Sequence, residues 1–414
     1  MRKIMACLDI GTDTIKCVVG EMVKKKLNIL AVSEAPSNGM VDGLVSDANL
    51  LIEPLQSVIK QCEEVVGLPI RQAIVSVPAH DAYYNIVSGF INIDNDGFLI
   101  EGKDVIKASQ QAIKKGRIEG MEYISMMPTS FSLDDDRVVR DPKGLTSKTL
   151  GVRGVMVSTP KRNIYPILAC LEKIGIEVLD IILSSIGDYY EFKDKELDKN
   201  IGAIVNIGAA TTTISIFNKG VLTNSNVISV GSDNVDKDIS FIYKISNRDS
   251  RYLKEKFALA HRDNAQSSEI MELQNNNNDI ININQFEVSE VVMSRVVEIL
   301  NLCKKDINHL TKKEISYIII TGGLSELKDI NLIINNELNK KGRIGNINNL
   351  GARSNTYSVA LGMLLYFNNK LLLRNKDFTS LSEEEINKMC DDASEEGSTN
   401  TLISRVVGYF FDNW

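Results

Sequence analysis

Histidine is scarce in this chain of 414 residues: His80, His261 and His309 are its only three, and they lie far apart. They do not form metal spacing with cysteine, and no Ser/His/Asp constellation presents itself. The six cysteines (Cys7, Cys17, Cys62, Cys170, Cys303 and Cys390) are scattered, with no C-x-x-C. That pattern fits buried thiols in a reducing cytoplasm. Positive charge is in deficit, and a net charge of -7 argues against a general nucleic-acid binder. Long apolar runs are missing as well. The longest in the body, Val359 to Phe367, falls short of the roughly 20 residues a membrane-spanning helix needs. The apolar opening meets Asp9 too early for a signal peptide. Neither G-x-x-x-x-G-K-[ST] nor G-x-G-x-x-G occurs. Asn92 to Gly97 imitates the start of a calcium loop, but Lys103 stands where the bidentate Glu is required, so the segment reads as a turn.

An apolar fraction of 43% and a charged fraction of 24% are ordinary for a globular protein long enough for two or more cores. Periodicity predicts strands at Ile4–Ile10, Ile15–Glu21 and Arg71–Val77, the last stopped by Pro78, and a helix over about 49–66. Residues 83–163 read as a compact insertion with three strands and one helix. Strand, small-residue turn, strand then recurs near residue 201, about 200 residues after its first appearance. Such duplication suggests two similar lobes facing a cleft. Residues 236–308 read as helical and polar, with Asn275–Asn278 as a flexible loop.

Three small-residue turns carry the chemistry. In the first, Asp9-Ile10-Gly11-Thr12-Asp13-Thr14-Ile15-Lys16, Thr12 offers hydroxyl and N–H to a phosphate, Lys16 adds charge, and Asp9 could hold Mg²⁺ through water. The second is Asn206-Ile207-Gly208-Ala209-Ala210-Thr211-Thr212-Thr213. The third, Thr321-Gly322-Gly323, could let adenine or ribose lie flat on the backbone. Each alone is a weak signal; three in this order are much stronger.

At the far end, Ile403, Val406, Val407, Phe410, Phe411 and Trp414 share one arc of a helix over 402–414. At ~20 Å it is too short to cross a bilayer but suited to the interface; the alternative is docking on the protein's own core. The preceding acidic tether, 391–400, is built to stay solvated.

The three turns resemble the two phosphate loops and the adenosine loop of the actin, sugar-kinase and chaperone ATPase superfamily. Within it the chain resembles the FtsA family of bacterial division proteins. The resemblance rests on Leu8-Asp9-Ile10-Gly11-Thr12, on Asp141-Pro142-Lys143-Gly144 followed by Gly151-Val152-Arg153, on Val230 to Ile239, on Tyr357 to Leu364, and on the tether with its terminal helix. It implies an α/β actin-like ATPase fold, with duplicated ribonuclease-H-like lobes around a nucleotide cleft and a 1C-type insertion in place of actin 1B. The implied organisation is subdomain 1A over 1–82, 164–198 and 355–375, and 1C over 83–163. Subdomain 2A would span 199–231 and 310–354, 2B would span 232–309, and a linker over 376–401 would lead to the membrane helix.

The nucleotide-binding set this implies is Asp9, Gly11, Thr12, Asp13, Lys16, Asn206, Gly208, Ala209, Thr211, Thr212, Gly231, Lys254, Gly322, Gly323 and Ser325, taking ATP and Mg²⁺. The implied partners are the FtsZ C-terminal peptide through 2B, framed by a helix over 287–306, further copies of the chain in a polymer, membrane lipid and other divisome proteins, but no nucleic acid. The implied place is the cytoplasmic face of the membrane at the septum. Family phosphate loops usually read D-I-G-G-G-T-T. Here Asn206, Ala209 and Ala210 depart from that pattern, and Arg251 aligns with the superfamily's adenosine-contacting Glu. The expectation is therefore a scaffold and at most a weak ATPase. The alternatives are a pilus-assembly adaptor or a small-molecule kinase of the same superfamily.

Overall fold

The computed structural model describes residues 3–24, 26–94 and 96–374; the predicted lipid-binding segment over 402–414 and its tether lie outside the described residues. The first lobe opens with β1 (Lys3–Ile10), β2 (Thr14–Val23) and β3 (Lys26–Pro36), an antiparallel meander. Ile4, Met5, Ala6, Cys7 and Leu8 are all buried, as a central strand covered on both faces requires. Helix α1 (Ala48–Val66) starts where the Asp47 carboxylate accepts the Asn49 N–H at 2.9 Å. It stops where Gly67, at φ 80°, donates its N–H to the Glu63 carbonyl. Strand β4 (Gln72–Val77) then runs parallel to β1.

The insertion follows. Strands β5 (Tyr83–Asn92), β6 (Met121–Ser132) and β7 (Thr149–Pro160) pair antiparallel in the order β5-β7-β6, with helix α2 (Gly102–Gly116) across one face. The chain re-enters the first lobe through α3 (Tyr165–Lys173), β8 (Glu177–Leu183) and α4 (Ser184–Phe192).

The second lobe holds β9 (Ile201–Ile207), β10 (Thr212–Asn218) and β11 (Val221–Ile228), then α5 (Ser232–Tyr243) and α6 (Asn247–Lys256). A two-stranded unit, β12 (Ile270–Gln274) with β13 (Ile280–Asn284), precedes the long α7 (Gln285–Leu310). Strand β14 (Tyr317–Thr321), α8 (Ile330–Leu338) and β15 (Gly342–Ile344) complete its sheet, and α9 (Ser358–Arg374) returns to the first lobe. The two large sheets have the same plan. One reads β3-β2-β1-β4-β8 and the other β11-β10-β9-β14-β15, each a meander with two parallel strands added beside its first strand. Duplication is therefore present in topology.

One expectation fails. Residues 270–284 form a hairpin within the stretch read as helical and polar. Asn275–Asn278 is its tight turn: Asn275 Oδ1 accepts the N–H groups of Asn277 and Asp279, and Asn278 adopts φ 66°. Asparagine makes such local bonds and tolerates that conformation, so an Asn run builds a turn as readily as a loose loop.

Three apolar cores result, one per lobe and one in the insertion. The first-lobe core also takes in Ile204, Phe217, Leu222, Tyr317 and Ile319 from the second sheet. Within the first lobe α4 and α9 meet at backbone distance. A Cβ on Gly362 would lie 1.7 Å from the Gly187 carbonyl oxygen, so only glycine permits this crossing. The five described cysteines are buried thiols. No helix among the described residues is long and apolar enough to cross a membrane.

Candidate functional site

The ends of β1 and β9 carry the same turn. Gly11 N–H donates to the Thr14 carbonyl at 3.1 Å, and Gly208 N–H donates to the Thr211 carbonyl at 2.9 Å. These two turns and the Gly322-Gly323 turn after β14 surround one cavity of about 580 Å³, within the usual range for a small-molecule site. Of the residues singled out from sequence, Asp9, Gly11, Thr12, Asp13, Lys16, Asn206, Gly208, Ala209, Thr211, Lys254, Gly322 and Gly323 all line it.

Thr212, Gly231 and Ser325 do not line it, contrary to expectation. Thr212 is buried and donates to the Val230 carbonyl at 2.7 Å, while its neighbours Thr211 and Thr213 face the cavity. Period-two alternation at a strand start dictates that split. Gly231 lies beneath the second turn, where a Cβ would fall 2.3 Å from the Ala209 carbonyl oxygen. The Ser325 hydroxyl donates to the Gly322 carbonyl at 2.7 Å and so shapes the third turn from behind. Of the two alanines that depart from the family pattern, Ala209 lines the cavity and Ala210 does not.

The first turn is charged. Ser76 Oγ donates to Asp9 Oδ1 at 2.8 Å and accepts the Ile10 N–H at 3.1 Å, which fixes the carboxylate at the strand end. Lys16, directly across the hairpin from Asp9, is buried and donates to Thr14 Oγ1 at 2.8 Å. The second turn is neutral and leans on α5: the N–H groups of Ser232 and Asp233 donate to the carbonyls of Gly208 and Ala209, both at 2.9 Å.

Asn206 is explained by a residue that no motif announces. Its Nδ2 donates to both carboxylate oxygens of Asp188 on α4, at 2.9 and 3.2 Å, and Ser358 Oγ donates to the same carboxylate at 2.6 Å. Burial raises the Asp188 carboxyl to about 7, against the hydrogen bonds from Ser358 and Asn206 that lower it and with a smaller push from the charge on Asp9. One turn along α4, burial raises Glu191 to about 8, with Asp188 adding to the rise. An Asp at position 206 would set a second carboxylate against Asp188; the amide donates there instead.

Lys254 is buried and donates to Asp236 Oδ2 at 2.8 Å. Its charge is thus matched before any ligand arrives. Arg251, on the same helix, reaches Asp13 in the first turn at 2.9 Å. Among the described residues no group of three or more His, Cys, Asp or Glu side chains could hold a metal ion.

Two sheets of one topology facing a cavity through matched turns define the class: this is an actin-like ATPase fold. Solved structures agree at the level of fold. The PilM-PilN type IV pilus biogenesis complex aligns at a TM-score of 0.58 with 11% identity, covering 87% of this chain and 98% of that one. MreB5 of Spiroplasma citri bound to AMPPNP aligns at 0.56 with 12% identity, covering 90% and 98%. The family model for the cell division protein FtsA matches residues 203–362, and that for the SHS2 domain inserted in FtsA matches residues 84–158, on the β5-β7-β6 sheet. The FtsA of Bacillus subtilis (strain 168) is 28% identical over 369 residues, covering 88% of this chain and 83% of that protein. The FtsA of Buchnera aphidicola is 26% identical over 414 residues, covering 91% and 94%. The chain belongs to the FtsA family of cell-division proteins.

Proposed function

We propose that this chain binds ATP in the cleft, turns it over slowly or not at all, and serves as a polymerising membrane tether of the division machinery. The observation that carries the nucleotide reading is the pair of matched turns around one cavity, with Lys16 and Thr12 on its first-lobe wall. The backbone of Gly11–Thr12 and Gly208–Thr211 would hold phosphates, and Gly322-Gly323 would carry the nucleoside. Mg²⁺, held by Asp9 through water, would screen charge between phosphate oxygens. Weak turnover follows from Asn206, whose amide is committed to Asp188 and brings no negative charge to the second turn. Turnover at or above about 1 s⁻¹, ordinary for enzymes, overturns the scaffold reading.

Family membership favours division over the pilus-adaptor and kinase alternatives. The FtsZ C-terminal peptide would dock on subdomain 2B, about residues 232–309, where α7 forms the frame. On α5, Phe241 is 84% exposed and Ile242 is also exposed, and both are available to that peptide. The segment 402–414 would hold the protein on the cytoplasmic face of the membrane at the septum. Two binding experiments test this. Full-length protein should co-sediment with lipid vesicles, and protein lacking 402–414, or carrying Phe410→Asp and Phe411→Asp, should stay in solution. An immobilised FtsZ C-terminal peptide should retain the wild type and release Phe241→Ala. Equal sedimentation, or equal retention, refutes the corresponding half.

A further inference from the structure

Arg251 belongs to the second lobe, yet one edge of its guanidinium faces the first. Nη1 donates to Asp13 Oδ1 at 2.9 Å, a contact between residues 238 apart in sequence. Its other partners are local. Nη2 donates to Asp233 Oδ1 at 3.2 Å, and Nε stands 3.6 Å from Asp236 Oδ2, both acids lying on neighbouring α5. Asp236 already has Lys254 at 2.8 Å. The ion pair with Asp13 is thus the part of this cluster that spans the cleft.

Asp13 and Arg251 both line the cavity, and each side chain is 38% exposed. A pair so wetted is weakly held and open to competition. Asp13 sits in the turn whose neighbours, Thr12 and Lys16, suit a phosphate. A polyphosphate entering there would be repelled by the Asp13 carboxylate. It would also offer the guanidinium a more highly charged acceptor of the geometry its fork matches.

We propose that Arg251 is a clasp across the cleft. In the empty protein it ties α6 to the first-lobe turn through Asp13, and when a nucleoside polyphosphate enters it exchanges that carboxylate for the anion. The proposal rests on the nucleotide reading above and adds to it an exchangeable contact across the cleft.

The two ends of the clasp should respond with opposite signs. Losing Arg251 removes a partner of the bound anion; losing the Asp13 charge removes that anion's competitor. Calorimetric titration of full-length protein with ATP should show affinity falling about 10-fold in Arg251→Ala and rising about 2–5-fold in Asp13→Asn. Arg251→Lys, which keeps the charge without the fork, should fall between Arg251→Ala and wild type. In the empty protein, amide hydrogen exchange over Gly11–Lys16 should quicken about 2–5-fold in Arg251→Ala and in Asp13→Asn alike. The double variant should exchange no faster than either single one. Affinity changes of the same sign in the two variants overturn the exchange step while leaving a nucleotide site in place. Unchanged hydrogen exchange overturns the clasp. Absence of ATP binding in wild type and variants alike overturns the nucleotide reading and the exchange step, and the empty-protein measurement then judges the clasp alone.

Discussion

The turn after β1 and the turn after β9 are two outcomes of one design. Both close with a Gly N–H bonded to a Thr carbonyl three residues on, and both end the first strand of a sheet with the same strand order. Their chemistry has diverged. The first keeps Asp9, Asp13 and Lys16; the second has Asn206, Ala209 and Thr211, with no charged side chain. Backbone geometry is set by small residues and sheet pairing, which every cleft of this plan needs. The side chains answer to local neighbours, and for Asn206 the neighbour is Asp188. The lesson is that a lost acid need not mark decay: here an amide satisfies a buried carboxylate that a second acid would oppose.

Making the second turn resemble the first should have the largest effect. Asn206→Asp sets a second carboxylate on the cavity wall against the buried Asp188, and at pH 8 it should cost about 3 kcal/mol of stability by urea unfolding. Adding Asp188→Asn should recover most of that loss; if it does not, the pairing is not what selects asparagine.

The next effect is on pH dependence. Asp188 is raised by burial to about 7 in the folded protein, whereas an unfolded Asp titrates near ~4. Between those values the folded state holds a proton that the unfolded state has released, so stability falls as pH rises from about 4 to about 7 and levels off above. Asp188→Asn should remove a fall on the order of 3 kcal/mol across that window. Parallel profiles for variant and wild type would show that Asp188 does not titrate there.

A smaller effect separates the two turns themselves. A Cβ on Gly11 would meet the Thr14 carbonyl oxygen at 2.8 Å, and one on Gly208 would meet the Thr211 oxygen at 3.1 Å. Gly11→Ala should therefore cost about 1–3 kcal/mol by thermal or urea unfolding, and Gly208→Ala should cost less. The reverse order would mean that the second turn is the stiffer one.

Much of the fold was legible because its signals are local. Buried runs such as Ala73 to Val77 with Pro78 behind them, or Gly at the end of a strand, announce themselves in consecutive residues. The cavity wall was legible where a turn places several neighbours together. It failed at Thr212, where alternation decides which threonine faces in: Thr213, which lines the cavity, was the residue to name. Asp188 was beyond reach, because it lies on a helix and is brought to Asn206 only when the lobes close on each other. The hairpin over 270–284 was missed because asparagine-rich composition says little about whether a turn or a coil will form.

The core shared between the two sheets also decides how the molecule can be cut. Because Phe217 and Tyr317 of the second sheet are packed into the first-lobe core, neither half is a portable module. A hemisphere expressed alone would carry an open greasy wound in place of its sister, so dissection of this molecule has to proceed by point changes and not by scissors.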